Sequence, residues 1–297
     1  MYEISIGELL EKQRREKRYS KSMVCRGLCS VTALSRYESG LRVPDKFLFE
    51  YLLQRLGCNP QQYEMIISNE EYYEMQQQKR IEECIEQGKY LEAEGEIENY
   101  KKMKSPSKPI HEQYIFYYSG LVKKYIGEYI QAVDCFERSI SKTMVQRENK
   151  QGLSSFMELK VLRELGDCYQ EVKRTQEAQE IYTKLQEYLE SHSCISLEMK
   201  QFYYGVLYKI AEQNYQNYNY GDAYAFIQKV YTGMTKHYFV KHMKDVLELK
   251  MVLEEKMNLL TIDSEKDYRN KIMALELLKY TDEKGILAFM EEKNVRI

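Results

Sequence analysis

Ser30-Val31-Thr32-Ala33-Leu34-Ser35-Arg36-Tyr37-Glu38-Ser39-Gly40-Leu41-Arg42 is the stretch from which the N-terminal fold can be read. Ser30 makes a good helix N-cap, because its hydroxyl can accept an orphan backbone N–H one turn on. Leu34 and Tyr37 lie a turn apart and can face a core, which leaves Thr32, Ser35, Arg36 and Arg42 free on the other side. Gly40 ends the helix where a left-handed residue costs least, and Pro44 prevents its resumption. Working outward, Ser20-Lys21-Ser22-Met23-Val24-Cys25-Arg26 predicts another short helix, capped by Ser20 and ending near Gly27. A short helix with one apolar edge and one hydroxyl-and-guanidinium edge has the right shape for the major groove of double-stranded DNA.

Helix, glycine-bearing turn and second helix make a helix-turn-helix. The pattern Arg14…Ser20-Lys21-x-x-Val24-Cys25…Ser30-x-x-x-Leu34-Ser35-Arg36-x-Glu38-x-Gly40-x-x-x-Pro44 resembles the lambda-repressor/Xre-type helix-turn-helix. The likeness covers about the first quarter of the chain, although Lys21 stands where that family usually has Gln. It implies that Arg14 and Glu38 form a structural ion pair. It also implies that Val31, Thr32 and Arg36 face base edges, that Lys21, Ser22 and Arg42 lie near phosphates, and that Ser35 shares the polar side. The competing reading, that Arg36 and Arg42 are ordinary solvated charges, is the weaker one within the whole pattern.

Composition agrees with this division of labour. Lys12 to Lys46 holds ten Lys/Arg against three Asp/Glu, whereas residues 69–297 hold 33 Lys/Arg against 38 Asp/Glu. A basic module on an acidic body puts the nucleic-acid surface at the N-terminus. With 43% hydrophobic and 30% charged residues, the chain suits a mostly helical soluble protein. The four prolines all fall within the first 109 positions, so long helices can run uninterrupted beyond them. Seven scattered cysteines with no CxxC pair, and no signal peptide, predict reduced thiols in a cytoplasmic protein. Cys25 and Cys29 fall at core positions without a second ligand pair, so no metal and no cofactor is expected. No window approaches the ~20 apolar residues of a membrane span.

Taken in order, helix one runs from Ile4 to about Lys17, and helices two and three follow as above. Helix four starts near Pro44 with Phe47, Leu48, Tyr51, Leu52, Leu53 and Leu56 on its apolar face. Asn59-Pro60 then opens a fifth helix ending near Ser68, which completes a DNA-binding domain over residues 1–68. Residues 69–78, polar and without a breaker, predict a helical connector.

Repetition governs residues 79–297. Gly88-Lys89-Tyr90-x-x-Ala93 recurs as Gly127-Glu128-Tyr129-x-x-Ala132-x-x-x-Phe136, with Gly120 seven residues earlier. Leu165-Gly166-x-x-Tyr169…Ala178-x-x-x-Tyr182 and Ala211…Tyr220-x-x-Ala223-x-x-x-Ile227 are further copies. These spacings resemble the tetratricopeptide repeat, in which small residues let paired helices approach and aromatics fill the gap. The landmark alanines recur after 39, 46 and 45 residues, longer than the usual ~34. The fold class expected is therefore all-α, a five-helix lambda-repressor-like domain followed by a right-handed tetratricopeptide-like solenoid. Ser105-Pro106-Ser107-Lys108-Pro109 is read as the loop closing the first pair, residues 239–260 and 264–280 as a further pair, and Ile286 to Lys293 as a terminal cap.

The first helix of each pair lines the concave face of such an array. In register, Tyr117, Leu121, Lys124, Lys160, Arg163, Asp167, Gln170, Tyr208, Glu212, Asn214 and Tyr215 are expected to point inward. Tyrosines with amides and charges suit an extended peptide, while Tyr129, Tyr169 and Tyr182 are expected as inter-helix filler. A helix-turn-helix followed by this array is similar to the Rap–Rgg–NprR–PlcR–PrgX group of peptide-sensing regulators. The resemblance implies a cytoplasmic homodimer that binds a short signalling peptide and regulates transcription. Two alternatives stay open: a repeat domain serving only as a protein-interaction scaffold, or one serving only for dimerisation. An enzyme is disfavoured, since the four histidines form no HExxH and neither GxSxG nor a phosphate-cradling loop occurs.

Overall fold

The computed structural model describes residues 5–63, 65–104, 108–144, 153–192 and 196–277, and all regular structure among them is helical. The chain divides into two compact units, Met1–Ile195 and Ser196–Ile297. The first opens with four short helices, α1 (Ile6–Glu16), α2 (Lys21–Cys25), α3 (Val31–Glu38) and α4 (Lys46–Arg55). Each begins at a residue whose side chain accepts an orphan N–H: Ser5 from Glu8, Ser20 from Met23, Ser30 from Ala33 and Asp45 from Leu48. Their apolar sides close on one core that includes Leu10, Val24, Leu34, Tyr37, Leu52 and Leu53.

The fifth helix expected to end near Ser68 is instead a single 3-10 turn, Pro60–Gln62, capped by Asn59. The physical reason lies on both sides of it. Tyr63 and Met65 pack against the N-terminal core, and Ser68 is already the N-cap of the next helix, with a capping box to Glu71.

Long helices follow in pairs. They are α5 (Asn69–Glu86) with α6 (Tyr90–Met103), α7 (Pro109–Tyr125) with α8 (Tyr129–Thr143), and α9 (Phe156–Glu171) with α10 (Thr175–Ser191). Residues 69–78 form the first half of α5. The second unit holds α11 (Leu197–Gln216) with α12 (Tyr220–Lys236), then α13 (Met243–Lys256) and α14 (Ile262–Leu277). Of the Ser105–Pro109 loop only Lys108 and Pro109 are described, and Pro109 is the first residue of α7. The terminal helix expected at Ile286 to Lys293 lies outside the described residues.

The repeat logic is visible in the packing. Ala93, Ala132, Ala178 and Ala223 are fully buried, and four residues on Ile97, Phe136, Tyr182 and Ile227 are buried too. Opposite Phe136 stands Gly120 of α7, where an added Cβ would lie 2.6 Å from the ring. Gly166 of α9 faces Tyr182 in the same way, whereas in the fourth pair the roles reverse and Gly233 of α12 receives Tyr204 of α11. Five residues before each landmark alanine sits a residue of positive φ: Gly88 (72°), Gly127 (85°), Lys173 (65°) and Tyr218 (62°). The next residue's N–H then reaches back to close the helix, as in Lys89 to Cys84 (2.8 Å) and Arg174 to Tyr169 (2.8 Å). Since this hairpin is constant, the lengthened periods reside in the helices and in the connections between pairs.

Candidate functional site

The buried side of α3 is tied down by Glu38. Its carboxylate accepts Arg14 Nε at 2.6 Å and Nη2 at 2.9 Å, and Lys21 Nζ lies 3.2 Å away. Burial raises the pKa of Glu38, but the Arg14 and Lys21 bonds outweigh it and hold the carboxyl below its ordinary range. Lys21 also donates to Ser35 Oγ at 3.0 Å, so these two side chains face each other across the α2–α3 turn. Ser22, Val31, Thr32, Arg36 and Arg42 are exposed. Val31, Thr32 and Arg36 are thus exposed along α3, Ser22 on α2 and Arg42 beyond the end of α3, while Lys21 and Ser35 are bound to each other.

What holds this face in place is the far side of the N-terminal module. The Arg55 guanidinium is buried, donates to Val24 O at 3.1 Å and to Arg26 O, and pairs with Glu158 of α9 at 2.7 Å. Glu158 is in turn the N3 residue of the Ser155 capping box. The Tyr51 hydroxyl donates to Gln113 Oε1 at 3.1 Å, and Gln113 Nε2 donates to Thr143 Oγ1 at 2.6 Å. Gly27, in the α2–α3 turn, comes so near α8 that a Cβ would sit 2.0 Å from Thr143 O. Sequence reasoning missed Arg55 and Glu158; the available signals were an Arg inside the apolar face of helix four and the Ser155-x-x-Glu158 capping pattern.

The repeat residues expected to point inward fall into four groups. Lys124 Nζ lies 2.6 Å from Glu164 and 2.8 Å from Asp167, Arg163 Nη2 lies 2.5 Å from Glu164, and the Tyr182 hydroxyl donates to Asp167. Burial works against the Lys124 charge, yet the two carboxylates raise its pKa above the ordinary lysine value. Tyr117 and Leu121 are buried, the Tyr117 ring 4.9 Å from that of Tyr118. Lys160 stands over the Phe156 ring at 4.5 Å, with Gln170 half-buried. Within the second unit, Glu212 pairs with Lys209 at 2.8 Å and Asn214 Nδ2 donates to Ile210 O at 2.9 Å. Tyr208 and Tyr215 are half-buried, and the buried Nε2 of neighbouring Gln213 has no partner among the described residues. Glu164 and Tyr182, which complete the charged network, were not singled out as site residues.

The whole chain superposes on PlcR from Bacillus thuringiensis, solved in complex with the peptide PapR7 and DNA. The match covers 98% of each chain at 15% identity with a TM-score of 0.58. The chain shares its fold with PlcR. Aspartyl phosphate phosphatase F from Bacillus subtilis is similar too, with 14% identity over 98% of this chain and 79% of that one and a TM-score of 0.54. BtubC from P. vanneervenii matches at 11% identity over 94% and 91%, with a TM-score of 0.52. No protein-family model and no curated protein matches the sequence. Because the fold of PlcR is also that of a phosphatase, the fold alone does not specify chemistry. No described helix is long and apolar enough to cross a membrane.

Proposed function

We propose that the chain is a cytoplasmic DNA-binding transcriptional regulator, acting as a homodimer, whose helical repeats take a short signalling peptide that modulates operator binding. The observation that carries this reading is the exposure of Val31, Thr32, Arg36 and Arg42 around a short helix whose other side is anchored by Glu38 and Arg14. The shared fold with PlcR, a protein seen with both a peptide and DNA, supports joining the two partners in one chain. Operator recognition by a dimer requires two such helices about one duplex turn apart, ~34–36 Å. A peptide that binds one arrangement better than another shifts the population of that arrangement, and operator affinity with it.

A second reading, in which the repeats are an interaction or dimerisation scaffold without a peptide effector, is favoured by one observation. Tyr117 and Leu121 are buried, and Lys124 and Arg163 are already neutralised by Glu164 and Asp167. Titrating peptides fractionated from conditioned medium against an operator complex separates the two. Bound peptide with a shifted operator affinity supports the first reading. Bound peptide with unchanged affinity removes the coupling, and the absence of any bound peptide leaves the scaffold.

A further inference from the structure

The exposed side chains of α3 differ in kind along its length. The leading turn offers Val31, which is 46% exposed and has no polar side-chain atom, and Thr32, which carries a methyl beside its hydroxyl. Ser35, a turn later, is engaged by Lys21 at 3.0 Å, and Leu34, Tyr37 and Glu38 are buried. Arg36 is exposed and has no carboxylate partner among the described residues. An apolar side chain cannot hydrogen-bond a base edge, and the one apolar feature that an unmodified base pair shows in the major groove is the thymine 5-methyl group. A guanidinium free to extend matches guanine O6 and N7. At 1.5 Å of rise per residue, Arg36 lies about 6 Å beyond Thr32 along the axis, or about two base pairs for a helix lying along the groove.

Building on the assignment of α3 to DNA, we infer that the operator half-site is read through thymine methyl groups by Val31 and Thr32 and through a guanine about two base pairs away by Arg36. Val31 and Thr32 thus set base identity by apolar contact at the leading turn, and Arg36 sets it by paired hydrogen bonds one turn on. Lys21 and Ser35, held to each other, contribute rigidity at the edge of the face.

The test uses the full chain. A random duplex library is put through repeated rounds of selection. The selected duplex is then compared by fluorescence anisotropy with versions carrying deoxyuridine for each thymidine, which removes only the methyl, or 7-deazaguanine for each guanine, which removes N7. One or two deoxyuridines per half-site are expected to weaken binding about three- to fivefold, the scale of one lost methyl burial. Val31→Ala and Thr32→Ser should lose that sensitivity, and Arg36→Ala should become indifferent to 7-deazaguanine while keeping the sensitivity to deoxyuridine. A selected operator that tolerates every deoxyuridine, or a Val31→Ala/Thr32→Ser double variant with undiminished methyl sensitivity, overturns the inference and leaves the DNA-binding role standing. Failure to select any sequence removes the DNA-binding role itself.

Discussion

Glu38 illustrates how a buried carboxylate can order a surface it does not belong to. Two cations from other elements converge on it, and the consequence is felt on the far side of α3, where Arg36 is left to extend into solvent. Arg36→Ala should therefore leave the fold intact while removing about 1–3 kcal/mol of discrimination at one base pair. Equal preference of parent and variant for specific over random duplex in an electrophoretic shift would refute the assignment. Arg55 works in the opposite sense, as a charge that cannot be removed alone. Arg55→Met strands Glu158 without its cation in a buried setting and is expected to cost about 3–5 kcal/mol in urea unfolding. Adding Glu158→Gln should recover part of that loss, and additive losses would show that the two residues act independently.

At the scale of the element, the hairpin between paired helices shows a local rule overridden. A left-handed residue ends the first helix of each pair, and glycine fills that place in the first two pairs but Lys173 and Tyr218 fill it in the next two. The left-handed conformation costs a residue with a Cβ about 1–2 kcal/mol. The hydrogen bond from the following N–H and the buried alanine five residues on keep the turn closed despite that cost. Lys173→Gly is accordingly expected to raise stability by about 0.5–1 kcal/mol, and Gly127→Ala to lower it by a similar amount, in thermal unfolding. A Lys173→Gly variant that melts below the parent would indicate that the lysine side chain contributes more than its backbone costs.

Across the first compact unit, the N-terminal module is fastened to the repeats partly through His111. Phe47 of α4 stacks on its ring at 5.2 Å, and its Nδ1 lies 2.8 Å from the Tyr100 hydroxyl, which donates its proton to Glu74. Burial, helped by the charges of Lys104 and Lys108 and opposed by Asp45, lowers the His111 pKa from 6.5 to about 4. Glu74 is 3.3 Å from His111 but is also paired with Lys104, so it does not hold a proton on the ring. The unfolded chain takes up a proton near pH 6.5 that the folded chain refuses until about pH 4. Stability should thus fall as pH drops through that window, by up to about 3 kcal/mol. His111→Asn should flatten the slope between those limits, and chemical unfolding at pH 7 and pH 5 would reveal whether it does.

Much of this was legible in the residues. Ser20, Ser30 and Gly40 announce short helices because caps and left-handed stops are local properties of the backbone. The spacing of Ala93, Ala132, Ala178 and Ala223 announces paired helices because a close helix crossing tolerates only a small residue there. The Arg14–Glu38 pair follows from the helix-turn-helix pattern and is present at 2.6 Å. The stretch opened by Asn59-Pro60 reads as a helix, yet among its described residues only the 3-10 turn Pro60–Gln62 forms, since where a segment rests depends on which core it can reach. The inward expectation for Tyr117 and Leu121 rested on register alone, whereas their burial depends on the neighbours that α7 meets. Local periodicity and capping thus determined which segments are helical and how they pair. Only the tertiary structure decided that Arg55 meets Glu158, that Lys124 and Arg163 are neutralised by Glu164 and Asp167, and that Lys21 turns onto Glu38. A charge states what it needs, but which of many distant partners satisfies it is settled by the packing that brings the two together.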